Sequence, residues 1–199
     1  TSGGWSDADT SALGNHAAFA DGTYFGFDTT AGSVTLGTAL NFPMGLLKMG
    51  VNTLKLTGSN SYTGATRVVK GVLQADFGVG LPAATNVTLA GGTLSTASGT
   101  LTLSLGAGAG QINIVSNQPA GFSAYGVPLT VSLGGAAAAL AWGSDAFSPT
   151  PLLLNEVGAD SALAFANGLD LMGRVREIDV NATAPGAAAT VTGKIADSV

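Results

Sequence analysis

Thr53-Leu54-Lys55-Leu56-Thr57-Gly58-Ser59-Asn60-Ser61-Tyr62-Thr63-Gly64-Ala65-Thr66-Arg67-Val68, continuing through Gly71-Val72-Leu73-Gln74, is the stretch whose reading decides the fold. Leu54 and Leu56 alternate with Lys55 and Thr57, the period of two that marks a strand with one buried face. Gly58, Asn60 and Gly64 supply residues that accept positive φ or close a turn with a short polar side chain. Thr66 and Val68 restore the alternation, and Val72-Leu73 begins another short strand. The stretch reads strand, turn, strand, turn, strand, and nothing in it is catalytic. This is the grammar of one coil of a solenoid.

The same grammar recurs outward from it. Val34-Thr35-Leu36 runs into Gly37, Val87-Thr88-Leu89 into Gly91-Gly92, and Leu101-Thr102-Leu103-Ser104-Leu105 into Gly106. Ile112-Asn113-Ile114 follows, then Leu129-Thr130-Val131-Ser132-Leu133 before Gly134-Gly135, with further apolar triplets to the C-terminus. No window carries a sustained helical stripe. The alanine-rich run over residues 134–140 is the one helical temptation, and it lacks a cap. The fold class is therefore all-β. Strands this short and numerous favour a right-handed parallel β-helix over the alternative, a β-sandwich, whose strands run nearer 5–6 residues. A period of about 20 to 25 residues gives roughly eight or nine coils, stacked into an array roughly 40 Å long. Residues 1–44 read as an irregular N-terminal segment that packs against or connects to a neighbouring unit. Residues 45–199 read as the solenoid.

Composition narrows the function. Charged residues are only 10% of the 199, against roughly 25% in an average soluble domain. Thr, Ser, Asn and Gly must then cover the exterior, a neutral hydrogen-bonding surface suited to assembly or carbohydrate contact. The net charge of −5 and the scattered seven Lys and Arg offer no basic face, so nucleic-acid binding is not expected. The absence of Cys removes disulfide and thiol chemistry and is compatible with export. No run approaches eighteen apolar residues, so no membrane insertion by a helix is expected.

The central stretch resembles the autotransporter-associated β-strand repeat of large exported surface proteins of Gram-negative bacteria. Lys48, Gly50, Leu54, Leu56, Gly58, Asn60, Tyr62, Gly64, Thr66, Val68, Gly71 and Leu73 fall on that pattern in order. Gly58, Asn60, Tyr62, Gly64, Thr66 and Gly71 are its structural positions. Asn52 departs from it where glycine is usual, and Asn is the next residue to tolerate left-handed backbone. The resemblance implies an extracellular or outer-surface bacterial passenger, extended and repetitive, and it implies no fixed reaction. Residues 195–199 show no polar cap and are expected to run on into Thr1-Ser2-Gly3-Gly4 of a next copy.

Candidate chemistry is sparse. His16 is the only histidine; a nucleophilic site would need it with Asp7, Asp9, Asp21 or Asp28, and no G-x-S-x-G elbow is present. Asp7 and Asp9, with Asp21 or Asp28, start a calcium site but supply too few oxygens, so turn formation is the simpler role and no cofactor is expected. Asp145, Glu156, Asp160, Asp170, Glu177 and Asp179 are the carboxylates from which a glycan-cleaving pair would be drawn, with Asp170 and the Glu177/Asp179 pair placed in strands. Arg174 and Arg176 more simply pair with Glu177 at the surface. Tyr62 covers the turn beside Gly64 with its hydroxyl wet, and Asn60 belongs to a buried ladder that satisfies turn backbone. The expected function is a non-enzymatic structural unit that stacks head-to-tail with copies of itself. The alternatives are an adhesin or glycan-binding passenger using Tyr62, Tyr125 and Trp142 as exposed platforms, and a carbohydrate-active β-helix enzyme depending on Asp170 or Glu177.

Overall fold

A computed structural model describes residues 12, 19–20, 22–115, 117–135 and 138–198. The alternation in residues 53–74 becomes three strands that fall on two sheets: β4 (Thr53–Leu56) and β6 (Gly71–Gln74) on one, β5 (Thr66–Val68) on the other. The rest of the chain follows that lead. A nine-stranded sheet holds β5 together with β1 (Tyr24–Asp28), β3 (Gly45–Met49), β7 (Val87–Leu89), β9 (Thr100–Leu105), β10 (Gln111–Ile114), β12 (Leu129–Leu133), β15 (Leu163–Phe165) and β18 (Ala189–Val191). A seven-stranded sheet holds β4 and β6 with β2 (Val34–Leu36), β8 (Gly92–Ser95), β11 (Ala120–Phe122), β14 (Leu152–Leu154) and β17 (Ile178–Asp179). A third sheet of three strands joins β13 (Ala139–Ala141), β16 (Gly168–Asp170) and β19 (Ile195–Ala196). Every ladder between these strands is parallel. The fold is a parallel β-helix, and the sandwich alternative, built on antiparallel sheets, is set aside.

Coil length changes along the stack. Leu46 lies beside Thr66 and Thr66 beside Val87, offsets of 20 and 21 residues. Further on, Leu129 lies beside Leu163, 34 residues away. The expected uniform period gives way because the later coils add a strand to the third sheet. One irregularity lies between the two regimes: the sheet order runs β7-β10-β9-β12. The chain overshoots with β9, then steps back to slot β10 between β7 and β9. The coils also begin earlier than the expected boundary at residue 45. Five residues of β1, from Tyr24 to Asp28, pair with β3, and Val34 of β2 pairs with Leu54.

Burial follows the register. Leu54, Leu73, Leu94, Phe122 and Leu154 stand beside one another down the seven-stranded sheet and are all buried. Each such side chain contributes about 1.5–3 kcal/mol relative to exposure. The rings of Phe25, Phe42 and Tyr62 stack across coils at 5.4 and 5.6 Å between centroids. Trp142, Phe147, Phe165 and Phe122 form a second aromatic run in the longer coils.

The repeat positions do not all act as the sequence suggests. Gly58 and Gly64 have no positive φ. They are needed because coils touch there: a Cβ on Gly58 would lie 2.7 Å from Gly37 O, and one on Gly64 2.3 Å from Gly45 N. Gly71 combines a φ of 65° with a Cβ position 2.5 Å from Gly50 O. Asn52 is not left-handed either; its amide donates to Thr29 O at 2.7 Å and stitches it to the preceding coil. Asn60 accepts from Leu40 N and donates to Gly80 O, both at 2.7 Å and 20 residues away on either side. It is a staple across three coils rather than one rung of stacked asparagines. Tyr62 is buried, not wet: its hydroxyl meets Thr66 Oγ1 at 2.5 Å, Thr66 meets Thr85 Oγ1 at 3.0 Å, and Thr85 donates to Gly64 O at 3.1 Å.

Candidate functional site

Because all strands of the seven-stranded sheet point the same way, their leading corners line up along one side and their trailing corners along the other. Between these corners the outer face of the sheet forms a groove of about 710 Å³. Thr53 and Val72, side by side in register, form one part of its floor, and Leu153 and Asp179, likewise side by side, form the other. Val51, Asn52 and Lys70 stand at the leading corners, and Tyr125, Glu156 and Val157 at the trailing ones. The residues between Val72 and Leu153 on that face, Thr93 and Gly121, are fully buried although their register points them outward. Gln74 Nε2 donates to Tyr125 O at 3.2 Å from 51 residues away, holding the Tyr125 loop down over this face.

Electrostatics concentrate at the trailing wall. Burial pushes the Glu156 carboxyl up, and the nearby charge of Asp179 adds to the push. Burial also pushes the Tyr125 hydroxyl up to about 12, reinforced by the carboxylates of Glu156 and Asp160. That hydroxyl donates to Val157 O at 3.4 Å. Asp160 is held below the usual carboxylate range by the Gly126 N–H at 2.7 Å and the Ser161 hydroxyl at 2.8 Å.

Of the carboxylates drawn from the sequence, the structure brings Glu156 and Asp179 into one groove, holds Asp160 close enough to act on the Tyr125 hydroxyl, and scatters Asp145, Asp170 and Glu177. Asp170 accepts from the Ser198 hydroxyl and N–H and from Met172 N, which keeps its carboxyl low. Asp145 sits exposed in a turn. Glu177 accepts from Leu152 N through its backbone and lines a separate small cleft with Trp142 and Val175. Arg176 turns its guanidinium onto the Trp142 ring, 5.7 Å from the centroid, and donates to Trp142 O and Leu171 O. Of the three proposed platforms, Tyr62 and Trp142 are buried, and only Tyr125 lines the groove. His16, Asp7, Asp9 and Asp21 lie outside the described residues. Asp28 accepts from Thr30 N and Oγ1 as a turn cap. Among the described residues, no group of three or more His, Asp or Glu is placed to hold a metal.

Sequence reasoning missed Lys48 as anything beyond a motif position. It stands in the interior column between Phe27 and Val68, wholly buried, with Nζ donating to three backbone carbonyls. The run Met44-Gly45-Leu46-Leu47-Lys48-Met49 has no period of two, so no local signal placed its side chain inside.

Residues 46–75, the stretch holding Lys48, Asn60 and Tyr62, match the passenger-associated-transport-repeat family. The chain carries an autotransporter-type repeat. The chain is also similar to the adhesin BmaC autotransporter of Brucella suis biovar 1 (strain 1330), with 40% identity over 86 residues. Those residues are 43% of this chain, which spans about 2% of the length of that relative. No solved structure matches the chain.

Proposed function

We propose that the chain is a non-enzymatic rod segment of an exported bacterial surface protein, in which coils add end to end along a longer polypeptide or between copies of the chain. The observation that carries this reading is the parallel pairing that links each strand from β1 to β18 in the nine-stranded sheet, with one step at β9, where β10 pairs with residues 104–105 and β12 with residues 100–103. Each coil satisfies its backbone groups on its neighbours, and none buries an apolar face alone. The outermost strands of such a stack present donors and acceptors to whatever coil comes next, and a head-to-tail contact of this kind propagates. The passenger repeat at residues 46–75 and the similarity to an adhesin autotransporter support placement outside the cell. The low charge, with 10% charged residues, supports side-by-side packing of rods.

Sedimentation velocity over a concentration series, with negative-stain micrographs of the same samples, tests this. The expected result is a rod that lengthens with concentration and shows a repeat of about 4.8 Å along its axis in fibre diffraction. A single species of 19.4 kDa at every concentration would sink association between copies.

A further inference from the structure

We infer that the groove on the outer face of the seven-stranded sheet binds an uncharged, hydroxyl-rich oligosaccharide, with Tyr125 as its stacking platform. The inference stands apart from the rod reading, because it concerns the flank of the stack and not its ends.

The shape favours a short linear ligand. The groove runs along the stacking axis from Ser33, at the start of β2, to Asp179 in β17. Seven strands at about 4.8 Å spacing make it roughly 30 Å long. Its 710 Å³ falls in the range of about 300–1,000 Å³ typical of small-molecule sites.

The chemistry selects among linear ligands. An extended peptide gains its affinity by pairing with a free strand edge. Here the strands cross the groove and their backbone groups are already paired to the coils on either side. A polyanion meets Glu156 and Asp179, with Lys70 as the one cation among the described residues of the lining, so nucleic acid and uronate chains are disfavoured. The groups that remain are Ser33, Asn52 and Thr53, the two carboxylates as hydroxyl acceptors, and the ring of Tyr125. That set fits sugar hydroxyls and the apolar face of a pyranose ring. Val157, 74% exposed, and Val51, 55% exposed, add apolar lips on opposite sides.

The platform is also preorganised, which reduces the ordering cost of binding. The Tyr125 backbone is held by Gln74 and its hydroxyl by Val157 O.

Titration calorimetry of the full chain with cellohexaose, maltohexaose, xylohexaose, mannohexaose and chitohexaose tests the inference, with hexagalacturonate as the anionic control. At least one neutral hexasaccharide is expected to bind with micromolar to millimolar affinity, and hexagalacturonate more weakly or not at all. Tyr125→Ala is expected to weaken binding about tenfold, the scale of a lost aromatic contact. Tyr125→Phe should keep it within about threefold, since the ring remains. Val157→Arg, at an exposed lip, should weaken binding without changing the melting temperature. The inference is overturned if no neutral hexasaccharide binds, or if hexagalacturonate binds best. It is equally overturned if binding ignores both Tyr125→Ala and Val157→Arg. Release of reducing ends from a bound hexasaccharide, lost in Glu156→Gln, would replace a binding groove with an enzyme.

Discussion

Lys48 Nζ donates to the backbone carbonyl of Lys70, one coil further along the stack, at 2.9 Å. Its other two donations go to Met49 O and Gly50 O, each at 2.8 Å. An ammonium group has three donors, so the three carbonyls use it fully. The side chain enters the core as a stem and delivers its charge to a turn, where it shares Met49 O with the N–H and hydroxyl of Thr29. Burial pushes its pKa down to about 8, while the Asp28 carboxylate works in the opposite direction.

The sign of the resulting pH dependence is fixed by where the proton is bound. Unfolded lysine titrates near 10.5 and folded Lys48 near 8. Between those values the unfolded chain binds more protons, so unfolding free energy rises with pH. The gain is on the order of 3 kcal/mol at most over the whole window. Urea unfolding at pH 7 and pH 9.5 should show the native chain gaining stability and Lys48→Met gaining none. At pH 7 Lys48→Met should be less stable by about 1–3 kcal/mol, because carbonyls of Gly50 and Lys70 lose their donor. Equal pH responses in the two chains would refute the assignment.

Tyr62 acts in the opposite sense at higher pH. Burial pushes its hydroxyl up to about 12, against 10.0 for a free tyrosine, despite hydrogen bonds from Thr66 and Thr85 that pull the other way. Between pH 10 and 12 the folded chain keeps a proton that the unfolded chain has lost, so stability falls across that window. Tyr62→Phe should be less stable at pH 7 by about 1 kcal/mol, the net worth of one buried hydrogen bond. It should also lose part of the alkaline decline. Absorbance at 295 nm, followed in native chain and variant, separates this hydroxyl from the others. A Tyr62 signal that appears near pH 10 would show the hydroxyl to be wet.

How far the sequence carried the fold can be judged at these same residues. Alternation at Leu54, Leu56, Thr66 and Val68 and the glycines between them sufficed for a stack of short parallel strands, because period and punctuation are local properties. What Tyr62 bonds to was not legible, since Thr85 belongs to the next coil and becomes a neighbour only through stacking. The step back from β9 to β10 was hidden for a related reason: both segments read as ordinary strands, and their order in the sheet is a long-range choice. Tyr125, Glu156 and Asp179 could each be named beforehand, yet nothing local said they share one groove. Lys48 was invisible as an interior residue until its register with Val68 fixed which way it faces.

The asparagine staples predict a loss that depends on which half of the amide is removed. Asn60 joins Leu40 N to Gly80 O. Asn155 does the same between Ala124 N and Ala187 O, both at 2.8 Å. Asn60→Ala leaves one buried donor and one buried acceptor unpaired, a loss of about 2–4 kcal/mol. Asn60→Asp keeps the acceptor for Leu40 N but sets a carboxylate against Gly80 O, and should be at least as destabilising at pH 7. Lowering the pH to protonate that carboxyl should recover part of the loss. Amide exchange at Leu40 gives an independent reading: it should accelerate in Asn60→Ala and remain protected in Asn60→Asp under acid conditions. Unchanged protection at Leu40 in Asn60→Ala would show that the staple is dispensable.

Glycine gives the most direct test of coil spacing. A Cβ on Gly121 would lie 1.9 Å from Leu153 O in the adjacent strand, and one on Gly64 would lie 2.3 Å from Gly45 N. Neither residue has a positive φ, so any loss on substitution is steric and not conformational. Neighbouring strands sit about 4.8 Å apart, and a coil held by ladders on both sides cannot retreat without breaking them. Gly121→Ala and Gly64→Ala should each lower stability by about 1–3 kcal/mol, the range for overpacking. Gly32 is the internal control. It has no positive φ and nothing within 4 Å of its Cβ position, so Gly32→Ala should be neutral or stabilising by about 0.4–1 kcal/mol through the unfolded chain. Thermal melts of the three variants side by side decide it. If Gly121→Ala melted with Gly32→Ala, the close approach of β11 and β14, and with it the floor of the groove beneath Tyr125, would have to be redrawn.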